Sequence, residues 1–273
     1  MKTREGKGRI FRALHERDRA FLIPNPWDIG SAKVLAHLGF EALATTSAGF
    51  AFTIGRPDYG ILREEAMQHI AQIAAATHLP VSADLENGFG DSPQTVAGTI
   101  CMAAEAGAVG GSIEDATGRA QDPIYSLEFA AERIRAASEA AQALPFPFTL
   151  TGRAENYLHS RPDLRDTIRR LQAYQEAGAN VLYAPGLTHS EDIAEVVRSV
   201  DRPVNLLGGI RGLSLSLDQI SALGVKRVSL GSALARAAFG ALIRSATELR
   251  DQGTFTFLDE VAGSKEMEEI FTR

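Results

Sequence analysis

The chain has 273 residues, 45% hydrophobic and 23% charged, the make-up of an ordinary globular protein. Its net charge of −6 and pI near 5.6 argue against a nucleic-acid or anionic-membrane partner, because either would need a basic face. A single cysteine excludes an intramolecular disulfide, and no signal-like start or run of about 18 apolar residues occurs, so a cytoplasmic protein is expected.

Taken in chain order, "AFLIPN" opens the first of eight apolar runs of strand length. In "LAHLGFEALATTS" a helix ends at Gly39 and a second strand begins. The same design returns in "AAEAGAVGGSIED", "YQEAGANVLYAPG" and "ISALGVKRVSLGS", where Gly107, Gly178 and Gly224 supply the left-handed residue that closes a helix. "LPVSAD", "LPFPFTLTG" and "RPVNLL" reach their strands through proline. The strands fall at about 20–24, 42–46, 80–84, 108–113, 147–152, 180–184, 203–207 and 226–230. Between them lie amphipathic segments such as "RDTIRRLQAYQEAG" and "SLEFAAERIRAASEAA". Cys101 sits in one of these, "TVAGTICMAAEAGA", where a buried small hydrophobe is expected.

Strands too apolar for a half-exposed sheet, alternating eightfold with helices, predict an α/β protein: a (β/α)8 TIM barrel. A doubly wound open sheet is the alternative. No linker or composition break interrupts residues 1–273, so one barrel domain is expected, with a C-terminal helical tail from about 250.

In such a barrel, catalytic groups stand where strands end. Asn25, Trp27 and Asp28 follow strand one, and Thr45, Thr46 and Ser47 follow strand two. Asp84 and Glu86 close strand three, Glu114 and Asp115 strand four, Arg153 and Glu155 strand five; Asn205 lies on strand seven. Neighbouring strands are about 4.8 Å apart, so Asp84 and Glu114 repel unless protonated or bridged by a cation. Oxygen ligands with no His or Cys cluster favour Mg²⁺ or Mn²⁺. Arg153 is placed to hold a substrate carboxylate bidentately. A ring of structural salt bridges is the other reading of these residues.

The motifs "TTSAGFAFTIGRPD", "SADLENGFG", "GSIED" and "TGRAEN", in this order, resemble the isocitrate lyase/phosphoenolpyruvate mutase superfamily, a likeness that runs from about residue 10 to 245. The resemblance implies a barrel whose eighth helix is exchanged between subunits, giving a homodimer or homotetramer. It implies Mg²⁺ bound by Asp84, Glu86 and Glu114, with Asp58 assisting, and a 2-oxo acid or its enolate as ligand: 2-oxoglutarate, oxaloacetate or pyruvate. Ser47 with the backbone of Ala48 and Gly49 would take the substrate carboxylate, and Arg153 would face the enolate. Trp27, Thr45 and Asn205 complete the substrate-binding candidates; Arg153, Asp58 and Glu114 are the catalytic ones.

The sequence departs from the family after "IED". The lyase branch has a K-[KR]-C-G-H loop and the mutase branch a Lys with an Asn-Ser pair; residues 116–125 have neither. Isocitrate or 2-methylisocitrate cleavage is therefore not expected. What remains is enolate chemistry: C–C bond cleavage or decarboxylation of an oxaloacetate-like acid. Phosphonopyruvate-type C–P chemistry, or 2-oxo-acid binding with little turnover, are the alternatives. Arg119, Asp122, Tyr125 and His159 are the polar groups available nearby. "NLLGGI" and "LGSALA" also resemble a phosphate cradle, although glycines that merely permit tight turns read the same way.

Overall fold

A computed structural model describes residues 3–272. Each predicted strand forms within two residues of its expected limits: β1 (Phe21–Ile23), β2 (Leu43–Ala44), β3 (Val81–Asp84), β4 (Gly110–Glu114), β5 (Thr149–Arg153), β6 (Val181–Tyr183), β7 (Val204–Leu207) and β8 (Arg227–Ser229). All ladders are parallel, in the order β1-β8-β7-β6-β5-β4-β3-β2. This order runs in sequence without a reversal, which excludes the doubly wound alternative. β1 and β2 share no ladder. Their gap is bridged by one backbone bond, from the Ala44 N–H to the Pro24 carbonyl at 3.1 Å, so the barrel is nearly closed.

The helices are α1 (Arg4–Leu14), α2 (Ile29–His37), α3 (Ser47–Thr53), α4 (Arg63–Ala76), α5 (Pro93–Glu105), α6 (Leu127–Gln142), α7 (Leu164–Glu176), α8 (Ser190–Arg198), α9 (Leu217–Ala222), α10 (Ala233–Gln252) and α11 (Ser264–Thr272). Polar caps start them: the side chains of Ser92, Ser126 and Asp163 accept from the backbone N–H three residues on. The four glycines read as helix stops all stand two residues past a helix, with φ between 86° and 107°. Gly178 shows why: a Cβ there would lie 2.2 Å from Ser138 Oγ.

The two faces of the strands differ. Outward residues such as Ala83, Ile113, Leu150, Leu182, Leu206 and Val228 pack with the helices in the main apolar core. Inward residues are mostly polar: Ser82, Ser112, Asn205, Arg227 and Ser229, with Ile23 and Ala44, line a cavity of about 50 Å³ inside the barrel. Arg227 is buried there without a carboxylate partner among the described residues. It donates to Asn205 Oδ1 (2.8 Å) and Thr151 Oγ1 (3.0 Å), and burial lowers its pKa to about 10.

α1 was not anticipated, because "REGKGRIFRALHERDRA" is mostly charged. It packs Phe11 and Leu14 with Phe21 and Ile23 of β1 as a separate apolar cluster, each side chain worth about 1.5–3 kcal/mol on burial. Cys101 is a correction: it is exposed on α5 rather than buried, because the apolar stripe of that helix is carried by Val96, Ile100, Ala103 and Ala104. No helix among the described residues is long and apolar enough to cross a membrane.

Beyond the barrel, α10 runs 20 residues with only Ala235 buried. It stops at Gly253, and α11 returns to pack against α2 with Ile270 buried.

Candidate active site

The C-terminal ends of β3 to β5 place three ionisable side chains, Asp84, Glu114 and Arg153, on one rim. Asp84 stands level with Ser112 of β4, and Glu114 level with Arg153 of β5. The expected repulsion between Asp84 and Glu114 is relieved by Arg153. Its Nη1 lies 3.1 Å from Glu114 Oε2 and 3.8 Å from Asp84 Oδ1, while its Nε donates to Glu155. The arginine thus stands among the carboxylates, and Tyr183 covers its guanidinium at 5.1 Å.

Three acids around one guanidinium, with Glu86 and Asp58 nearby, leave an excess of negative charge in a poorly hydrated place. Burial pushes the Glu114 carboxyl well above the usual range, with Arg153 opposing. Burial and then the charges of Asp84 and Asp58 raise Glu86 to about 8. Asp58 is raised by desolvation and by Asp84, and Glu155 by burial. Glu86 is held with φ at 48°, a left-handed conformation rare for a side-chain-bearing residue.

Two carboxylate oxygens, Asp84 Oδ1 and Glu86 Oε1, are buried without a hydrogen-bond partner. Among the described residues no three His, Cys, Asp or Glu side chains converge into a ready-made ion-binding group. Orphaned oxygens and surplus negative charge nevertheless fit a hard divalent cation that keeps part of its water, as Mg²⁺ does.

Ser47 begins α3 and gives both its N–H and its hydroxyl to Asp84 Oδ2, each at 2.9 Å. Thr45 Oγ1 accepts from the Asp84 N–H (2.8 Å), so the segment after β2 holds Asp84 by its backbone as well as by its carboxylate. Ala48 lines the mouth cavity with Ser47 and Asp58. Gly49 differs from expectation: its N–H is spent on the Thr46 hydroxyl that caps α3. Asn205 is buried below the mouth, its amide bound to Arg227 and Ser229. Trp27 lines neither the mouth cavity nor the one inside the barrel.

The cavity at the mouth measures about 150 Å³ and is also lined by Tyr59, Gly231, Ser232 and Arg236. Tyr59 was not singled out in the sequence. Its backbone is left-handed (φ 59°) and its hydroxyl donates to Glu114 Oε1. Its place directly after "GRPD" was the only available signal. In the loop at 116–125, Arg119 and Tyr125 both bind Asp91, and Thr117 is held to Asp122 O, so these groups brace one another. His159 Nε2 lies 3.9 Å from Glu155. The Gly208–Gly209 turn is explained by packing, since a Cβ on Gly209 would meet Leu230 O at 2.1 Å.

The sequence profile of the phosphoenolpyruvate phosphomutase family matches residues 11–250. A crystal structure of a candidate lyase/mutase from Burkholderia cenocepacia J2315 is 61% identical, with a TM-score of 0.97 over 99% of this chain and 97% of that one. Phosphonopyruvate hydrolase, solved with oxalate and Mg²⁺, is 25% identical with a TM-score of 0.85 over 97% and 94% of the two chains. The 2-methylisocitrate lyase of Escherichia coli K12 is 30% identical, covering 72% of this chain and 68% of its own. The oxaloacetate decarboxylase of Pseudomonas paraeruginosa PA7 is 31% identical, covering 68% and 66%. With the fold, the order of motifs and this profile in agreement, the chain belongs to the phosphoenolpyruvate phosphomutase family, within the isocitrate lyase/phosphoenolpyruvate mutase superfamily.

Proposed function

We propose that the protein is a Mg²⁺-dependent enzyme that cleaves a carbon–carbon bond of a small 2-oxo acid, or its precursor, through an enolate. The observation that carries this reading is the pair of orphaned oxygens on Asp84 and Glu86 beside the buried Glu114–Arg153 ion pair. Asp84 would hold the cation, with Glu86 and Glu114 contributing through water. When bound, the ion supplies a positive charge that stabilises an enolate oxygen.

The chain's own residues account for the rest. Arg153 is oriented by Glu155 and Glu114, so a rigid guanidinium faces the place where enolate charge develops, without reorganisation. The Ser47 hydroxyl and N–H, given to Asp84 here, are the donors for a substrate carboxylate beside the free edge of Ala48. Tyr59 holds Glu114 from the solvent side. Asp58, next to Asp84, assists at the same end.

Residues 116–125 carry no Cys or His and are tied together, so cleavage that needs a strong loop acid is disfavoured. Decarboxylation of an oxaloacetate-like acid is the second reading, favoured by the same lack and by the decarboxylase relative. The test is incubation with Mg²⁺ and a panel including oxaloacetate, 2-oxoglutarate and 2-hydroxy diacids, followed by assay for pyruvate, other 2-oxo products and CO₂. Mg²⁺-dependent product supports the proposal. Tight 2-oxo-acid binding with no product would instead make the protein a binder.

The assembly belongs to the same proposal. Leu242, Ile243 and Leu249 of α10 are 62%, 64% and 41% exposed, and Phe255 and Leu258 beyond it are 63% and 56% exposed. This apolar strip suits a second copy of the chain that takes α10 into its own helix layer, as a homodimer or homotetramer. Light scattering at micromolar concentration should exceed the monomer mass of 29.3 kDa.

A further inference from the structure

We infer that Arg236 receives the second carboxylate of a 2-oxo diacid whose keto-acid end lies at Asp84, Ser47 and Arg153. This rests on the functional reading above and adds the chemical class of the substrate's far end.

Two arginines line the mouth cavity, and they differ in how their charge is met. Arg153 is within 4 Å of Asp84, Glu114 and Glu155, so little of its charge remains for a ligand's far group. Arg236 has no acidic partner among the described residues. Its side chain makes one long hydrogen bond, 3.4 Å to the Gly209 carbonyl, and is otherwise exposed. Beside it, the Ser232 hydroxyl lines the same cavity and caps no backbone N–H of α10.

The cavity lining therefore holds two chemically distinct groups, which a ligand would meet as two ends. The Asp84 end is rich in carboxylates and repels a bare anion unless a cation intervenes. The Arg236 end offers an unneutralised guanidinium fork, which matches a carboxylate in two parallel hydrogen bonds, with a free hydroxyl next to it. A diacid satisfies both ends, whereas a monoacid of equal length would leave Arg236 facing a methyl group. Pairing with Arg236 also stabilises the far carboxylate as an anion, so it is the group least ready to depart as CO₂. That favours cleavage inside the carbon chain over decarboxylation.

The experiment compares calorimetric affinities, with Mg²⁺ present, of matched acids: oxaloacetate against 2-oxobutanoate, and 2-oxoglutarate against 2-oxopentanoate. Oxalate, which reaches only the keto-acid end, is the control. In the native protein at least one diacid should bind about tenfold or more tightly than its monoacid partner, the worth of one charge-assisted contact. Arg236→Gln should abolish that preference and leave oxalate binding within about twofold of native, with Arg236→Lys intermediate. A native protein that binds no oxalate with Mg²⁺ would overturn the reading of the site, and this inference with it. Oxalate binding intact but the diacid preference absent, or surviving in Arg236→Gln, would overturn the role of Arg236 alone.

Discussion

Arg133 offers the sharpest test of how the site is held. It is 1% exposed on α6, yet its guanidinium has no carboxylate partner among the described residues. Instead Nε donates to Asp91 O (2.9 Å), Nη2 to Gly90 O (2.8 Å) and Asn87 O, and Nη1 to Glu114 O (3.4 Å). The Tyr125 ring covers it at 4.1 Å, and the Tyr125 hydroxyl is bound to Asp91. One side chain thus ties the loop that carries Glu86 to the end of β4. Arg133→Met keeps most of the packing volume but strips three good hydrogen bonds from part-buried carbonyls. Hydrogen bonds from a charged donor are worth about 1.5–3 kcal/mol each. Three at the low end give about 4–5 kcal/mol, and relief of the guanidinium's own desolvation returns part of it, leaving a net loss of about 3 kcal/mol. For a chain of this size that lowers the midpoint of thermal unfolding by about 6–12 °C. Circular dichroism reads the midpoint, and calorimetry should show weaker Mg²⁺ binding as Glu86 loses its fixed backbone. A midpoint within about 2 °C of native together with unchanged Mg²⁺ affinity would refute the bracing role.

Asp84→Ala should abolish Mg²⁺-dependent oxalate binding, and calorimetry showing native affinity would remove Asp84 from the metal site. Isocitrate and 2-methylisocitrate should be cleaved at least about 10²-fold more slowly than the ~10 s⁻¹ of an ordinary enzyme, for want of a loop acid, as a coupled glyoxylate or pyruvate assay would show. His69, stacked on Phe50 at 4.1 Å, has its pKa lowered to about 4 by burial, so the unfolded chain binds its proton first as pH falls below 6.5. Between pH 8 and pH 5 the native protein should therefore lose about 2 kcal/mol relative to His69→Gln in urea unfolding. The comparison with the variant matters, because the raised carboxyl of Glu86 acts in the opposite sense, its stability present at low pH and lost as pH rises towards 8.

The strands after the first were legible because each is announced by chemistry local to it: a left-handed glycine after a helix, or a proline before an apolar run. The rim acids were legible for the same reason, since Asp84 and Glu114 end their strands. What the sequence hides is which charges meet. Arg153 was read as a holder of the substrate carboxylate, and only the register of β4 with β5 reveals that it lies among the acids. Tyr59 and Arg236 reach the cavity from a loop and a helix start whose directions no periodicity encodes. α1 escaped notice because two apolar side chains, Phe11 and Leu14, suffice to seat it. Cys101 was misread because an apolar helix still has an outer face.

The unlaced join between β1 and β2 gives the barrel a seam. Every other neighbouring pair of strands is stitched by a ladder, while here one backbone amide and the Asn25 side-chain amide, which donates to Thr45 O, carry the closure. The residues immediately past the seam are Thr45 and Ser47, and both reach across to Asp84 on β3. A ligand seated on Ser47 and Asp84 would therefore act as a rivet beside the weakest joint of the cylinder. Occupancy of the mouth would be felt as slower hydrogen exchange at the Ala44 amide, with local stability supplied by binding rather than by the backbone.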